Sequence, residues 1–348
     1  WLPWAQLAEV GGTPLLDLMT VGVGAAAWHA LHHRSRPAGV LAALLVALPL
    51  LYGTVRIAQV DETRESAPIL RVGVIQPNVG IYDKHDARLH HGHLVLLQRM
   101  TQTLERLGAD VVIWPESAYP FPFPRGVARD VGGRYAIRQR GVRGPLLVGA
   151  VTRASRCDRW NSALAIDDQG FVRGVADKVE LLAFGETVPL WHWLPPLQSM
   201  FPCPGLRSAA APKVLTLHEV RYGVLNCYED VLGRHARTVA GLDPELLVNI
   251  TNDAWFGDTL EPHLHQLVAR VRSIETRRDL VRAVNTGVSA HIDATGRTRL
   301  ETETFTQDSF IATARRLEGT TVWVTIGDVV TPIAYAYLLA WGFRRRRA

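Results

Sequence analysis

Residues 222–230 read YGVLNCYED: a short apolar run with β character, 222–226, ends on Cys227, and Glu229 and Asp230 follow at once. The whole 348-residue chain has only three cysteines. A free cysteine in such a place is either a small buried hydrophobe or a nucleophile. A nucleophilic thiol with pKa about 8.5 is mostly protonated at neutral pH, so it needs a base. It also needs donors aimed at the oxyanion, each worth about 3 kcal/mol. A helix starting just behind Cys227 would assist through its N-terminus.

Outward from this stretch, further β runs are expected at 72–76, 111–114, 146–151, 162–166, 246–250 and 289–292, bounded by Gly, Pro, Asn and Asp. Helix-spaced apolar positions occupy 89–107 and 264–284. Strands interleaved with helices imply a layered α/β domain. Two more charged residues stand directly after β runs. Glu116 lies in VVIWPESAYP (111–120), where a rigid Trp-Pro step carries it off the sheet edge, and Lys178 lies in ADKVELLAFGETVP (176–189). Each, taken singly, also reads as a solvated surface residue.

The ends are apolar. Residues 38–55 hold no charged side chain, about the length of a transmembrane helix, and 14–31 and 329–343 are further candidates. Asp17 falls at an interface or serves as an intramembrane acid. The run at 329–343 is short and spans only if 321–328 adds to its depth. His32, His33, Arg34 and Arg36 between the first two segments, and the arginines at 344–347 after the last, place both clusters in the cytoplasm by the positive-inside rule. Residues 61–318 then lie outside. The expected organisation is a membrane segment at 1–60, a catalytic domain at 61–320, and a helix with a basic tail at 321–348. The net charge of +5 reflects the flanking clusters, which argues for membrane topology over nucleic acid. A chain opening at Trp1 is expected to be a fragment or processed.

Residues 187–206, TVPLWHWLPPLQSMFPCPGL, are too broken by proline for a long helix. They form either a buried loop or an arm laid on a membrane interface, where Trp is favoured. The stretch YPFPFPR at 119–125 poses the same choice. Cys157, Cys203 and Cys227 form no metal or redox motif, and outside the cytoplasm Cys157 and Cys203 could pair, leaving Cys227 free. His90, His91, His93, His263 and His265 read as solvated side chains without a metal pattern, and His291 has no evident role. No cofactor is implied.

Taken together, WPES, DKVELLAFGETVP, NCYED and NITNDAWFG (249–257), in that order, resemble the nitrilase or carbon-nitrogen hydrolase superfamily, whose triad is Glu, Lys and Cys. Within it, the flanking apolar segments and the FGETVP, CYE and NDAWFG elements are similar to the apolipoprotein N-acyltransferases. The resemblance implies an αββα sandwich flanked by transmembrane helices, in a bacterial inner membrane with the catalytic domain on the periplasmic side. It implies Glu116 as general base, Lys178 as stabiliser of the tetrahedral intermediate and Cys227 as the nucleophile that becomes a thioester. Glu186 and Glu229 match accessory acids, Tyr228, Trp255 and Phe256 match aromatics lining an acyl cavity, and Asn161 and Ser162 match a pocket edge. The implied reaction moves an acyl group from a phospholipid, through Cys227, to the α-amine of a diacylglyceryl lipoprotein. The family pattern carries five or more helices before the catalytic domain, against two here, and Ala183 stands where some members have proline. A membrane-anchored amidase using the same triad, and a catalytically idle scaffold, are the alternative readings.

Overall fold

The structure, a computed structural model, describes residues 1–345 and the side chains through 341. Three N-terminal helices come first: α1 (Leu2–Ala5), α2 (Ala8–His32) and α3 (Arg36–Ser66). Then follow β1 (Ile69–Gln76), α4 (Ile81–His85), α5 (His90–Arg106), β2 (Val111–Pro124), β3 (Leu146–Arg153), β4 (Arg159–Ile166), β5 (Val172–Asp177) and α6 (Pro195–Met200). The second half adds β6 (Val214–Leu217), β7 (Val220–Asn226), α7 (Gly233–Ala240), β8 (Leu246–Thr251), α8 (Glu261–Thr276), β9 (Leu280–Val284), β10 (Ala290–Ile292), β11 (Thr298–Glu301) and β12 (Asp308–Arg315). Two helices, α9 (Val322–Ile326) and α10 (Val330–Arg345), close the chain.

The strands form two six-stranded sheets, ordered β12-β1-β2-β3-β4-β5 and β11-β10-β9-β8-β7-β6. Strand periodicity shows why they stack. On β2, Val111 and Ile113 join the cluster shared by both sheets, while Val112 and Trp114 pack with Leu94, Leu97 and Leu104 of α5. On β8, Leu246 and Val248 face that same central cluster, and Leu247 packs with Ala236 and Val239 of α7 and Ala269 of α8. Strands apolar on both faces need cover on both sides, so the layers run helix, sheet, sheet, helix. The αββα expectation holds.

Helix α8 corrects the single helix expected over 264–284. It stops at Thr276, Arg277 takes a left-handed conformation (φ 52°, ψ 47°), and β9 begins at Leu280. Apolar residues 280, 281, 283 and 284 continue a helical spacing, yet Arg64 clamps Asp279 in a two-pronged ion pair at 2.9 and 2.8 Å beside the sheet. His291 Nε2 donates to the same Asp279 carboxylate at 3.1 Å, which gives it a structural role. The stretch 119–125 is neither loop nor arm: it prolongs β2, and Tyr119 and Phe123 are buried with the α5 cluster.

Helices α2 and α3, 25 and 31 residues long, are long and apolar enough to cross a membrane. Helix α2 kinks at Gly11 and Gly12, where a Cβ on Gly12 would sit 2.7 Å from the Trp323 ring of α9. Residues 321–328 do not extend the last apolar segment. Gly327 (φ 73°) breaks the path, and Trp323 is buried, so α10 has 16 residues and would rise about 24 Å. The arginine cluster at 344–347 lies outside the residues whose side chains are described.

Candidate active site

Lys178 and Cys227 come from the ends of two strands, and Glu116 from an irregular stretch inside a third. Glu116 lies where β2 leaves its regular pairing with β3: the register shifts between Trp114 and Tyr119. Gly149 of β3 makes room for this, since a Cβ there would collide with the Pro115 carbonyl and lie 2.8 Å from the Glu116 Cα. Lys178 follows the last residue of β5 and Cys227 the last of β7. Two of these strands belong to one sheet and one to the other, so the sandwich itself assembles the triad.

Lys178 is 2% exposed. Its Nζ lies 2.9 Å from Glu186 and 3.5 Å from Glu116. Burial disfavours the ammonium, but the carboxylates of Glu116 and Glu186 outweigh it and hold its pKa above the usual lysine range. Burial pushes the Cys227 thiol up, the Glu116 carboxylate pushes it further, and Lys178 only partly offsets them. The raised pKa keeps the Cys227 thiol protonated at neutral pH. A helix N-terminus does not lower it: residues Cys227–Asp230 form one 3-10 turn, with Cys227 in a left-handed conformation (φ 55°) that turns it out of the strand.

The accessory acids hold this geometry. Glu229 accepts backbone N–H groups from Asn226 (2.8 Å), Val179 (2.7 Å) and Glu180 (2.9 Å), so one carboxylate ties the cysteine turn to the lysine loop. Glu186 accepts from Lys178 Nζ (3.0 Å), Asn161 Nδ2 (3.1 Å) and the Leu182 N–H (2.9 Å). Asn161 also donates to Glu116 at 2.6 Å and accepts from Asn226 at 3.1 Å, bridging base and nucleophile strands. Ser162, one residue on, points to the opposite face of β4, donating to Asp177 at 2.6 Å. Tyr228 donates to the Leu181 carbonyl (3.3 Å) under the Lys178 ammonium. Trp255 and Phe256 are exposed on the turn after β8, Trp255 at 71%.

A cavity of about 840 Å³ opens from Glu116, walled by Tyr119, Phe121, Pro122 and Val151. Lys84 reaches into it, donating to Ser117 Oγ (2.9 Å) and the Glu116 carbonyl (3.3 Å). Burial holds its pKa below the usual lysine range, against the pull of Glu116 and Cys227. Nothing in the polar run around 84 marks this lysine in the sequence. His265 also departs from the solvated reading. It is buried behind the nucleophile turn, 2.8 Å from Asp230 and 3.0 Å from Asp253, with Arg282 on the far side of Asp230. Burial opposes its charge, yet the two carboxylates push its pKa up to about 9. The arm at 187–206 is tied by a disulfide between Cys157 and Cys203 and is not a buried loop: Leu190, Trp193, Leu194, Met200 and Phe201 are exposed.

A buried carboxylate and lysine beside a partly buried cysteine, gathered by the two sheets of an αββα sandwich, form a set able to support cysteine-based acyl chemistry. Residues 71–320 match the carbon-nitrogen hydrolase family, and the chain belongs to it. It is similar to the apolipoprotein N-acyltransferases of Geobacter metallireducens (31% identity over 88% of this chain and 59% of that protein) and Sinorhizobium medicae (34% over 84% and 56%). The chain thus spans about six-tenths of the length of the curated relatives it matches. Among solved structures, an amidase from Nesterenkonia sp. AN1 shares the fold, with TM-score 0.54 at 16% identity, covering 76% of this chain and 99% of that one.

Proposed function

We propose that this chain is a membrane-bound acyltransferase of the apolipoprotein N-acyltransferase type, with 1–60 and 321–348 as membrane segments around a catalytic domain at 61–320. It moves a fatty acyl group from a phospholipid to the α-amine of a lipoprotein's diacylglyceryl-cysteine, on the periplasmic side of the inner membrane. The observation that carries it is buried Glu116 and Lys178 beside the partly buried Cys227, in a chain with two span-length apolar helices and an exposed apolar arm.

The raised thiol pKa makes base assistance obligatory. Glu116 takes the Sγ proton as sulfur attacks the ester carbonyl; Lys178, cationic throughout, faces the charge that develops on the carbonyl oxygen. Collapse breaks the ester C–O bond, and the lysophospholipid oxygen leaves with the proton from Glu116. In the second half the amine nitrogen attacks the thioester, Glu116 accepts its proton, and the proton returns to sulfur as the C–S bond breaks. Tyr228, Trp255 and Phe256 flank the acyl chain in this reading, and water is excluded because it would hydrolyse the thioester.

Incubating the purified chain with phospholipid should add one acyl mass, labile to hydroxylamine, and Cys227→Ala should carry none. Cys157→Ala and Cys203→Ala should still acylate. An adduct that persists in Cys227→Ala sinks the assignment, and turnover of small amides without any lipid adduct would make the chain an amidase.

A further inference from the structure

We propose that Arg153, Arg156 and Arg159, on the hairpin joining β3 to β4, form the site for the phosphate of the acyl donor's head group. This rests on the acyltransfer reading above and deepens it. All three arginines line the cavity that opens from Glu116. The same wall holds no carboxylate besides Glu116 itself, whose charge already faces Lys178. Neighbouring arginines are matched: Arg125 pairs with Asp177, Arg173 with Asp167 and Arg207 with Asp158. The three hairpin arginines form no ion pair among the described residues, and Arg159 Nε is buried with no hydrogen-bond partner. A cluster of unneutralised guanidiniums at one end of a cavity suits a tetrahedral oxyanion that accepts several N–H groups at once.

The rest of the cavity decides what kind of phosphate. Beside the polar wall of Lys84, Ser117, His85, His90 and His93, the cavity carries an apolar strip from Tyr119, Phe121, Pro122 and Val151. The hairpin is also bonded through Cys157 to Cys203 of the arm, which presents Trp193, Met200 and Phe201 outward. The hairpin arginines share one cavity with Glu116 and an apolar strip, and the disulfide joins that hairpin to an exposed apolar surface. That arrangement matches a ligand with a phosphate at one end and acyl chains at the other, as in a phospholipid.

The test uses the full chain in detergent with two acyl donors of equal chain length: phosphatidylethanolamine, and a p-nitrophenyl ester that has no phosphate. Replacing Arg153, Arg156 and Arg159 together by Gln should raise KM for the phospholipid by about 10-fold or more, with thioester formation from the p-nitrophenyl ester unchanged. The triple Lys variant should recover much of the loss. Equal loss with both donors, or no loss with either, overturns the hairpin assignment while leaving the acyltransfer reading intact. Wild-type chain that takes the acyl group from the p-nitrophenyl ester but never from phospholipid overturns both. Tight, saturable competition by inorganic phosphate alone would assign the hairpin to a free anion and overturn the head-group proposal.

Discussion

Lys178, at the floor of the site, is 2% exposed and has two carboxylates within 3.5 Å, whereas Trp193, in the arm, is 82% exposed and belongs to no core cluster. A buried charge is tolerated only when its partners are fixed, so the floor is completed by the fold itself. Exposed aromatic surface forgoes about 25 cal/mol for each Å² that could have been removed from water. The arm is held by a disulfide and still faces outward, whereas the floor is enclosed by the fold.

The largest effect should come from breaking the floor. Glu116→Gln should slow thioester formation by about 10²-fold or more, because it removes the carboxylate proposed to accept the thiol proton. Lys178→Met should slow both acylation and transfer to the amine, since an oxyanion forms in each. Single-turnover kinetics on the two half-reactions check both. If Lys178→Met acylated at the wild-type rate, the lysine would have no part in the chemistry.

Next in size is the clamp between lysine loop and cysteine turn. Glu229→Gln replaces one accepting oxygen by an NH2 group, so three backbone N–H groups compete for a single acceptor. A fall in kcat of about 10-fold with KM held is expected; a change in KM alone would make Glu229 part of the substrate pocket instead.

The network behind the turn predicts a pH signature. His265 has a folded pKa near 9 against about 6.5 unfolded, so its ion pairs stabilise fully below about pH 6.5, and this contribution is lost as pH rises through 9. The unfolding free-energy difference between wild type and His265→Asn should therefore shrink by roughly 2–4 kcal/mol from about pH 6 to about pH 10. Denaturant unfolding at several pH values reads it, and a difference that stays flat would mean the ring is neutral in the fold.

The smallest effect probes the arm. Trp193→Ala should weaken use of bilayer lipid by about 1 kcal/mol, several-fold in KM, and spare a short soluble ester. Trp191 is a poorer probe because its indole N–H donates to the Phe201 carbonyl at 3.0 Å and braces the arm. Equal loss with both donors for Trp193→Ala would make the arm a structural loop and erase the contrast with the floor.

The chain's own order of residues was enough for the layered fold and for placing Glu116, Lys178 and Cys227 beside β runs, because runs such as 111–114 and 246–248 are apolar at every position and so must be covered on both faces. The long-range partners lay beyond that reading. The helix expected over 264–284 ends at Thr276 because Asp279 is held by Arg64, 215 residues away, and local spacing carries no record of such a pairing. His265 looked like a surface histidine until Asp230 and Asp253 closed on it, and Lys84, unmarked in its polar run, gains its place only where the fold sets its ammonium on Ser117 and the Glu116 carbonyl. Periodicity and motif order are properties of neighbouring residues, so they survive in the sequence. Burial and charge pairing depend on which distant segments meet, and only packing two sheets face to face decides that.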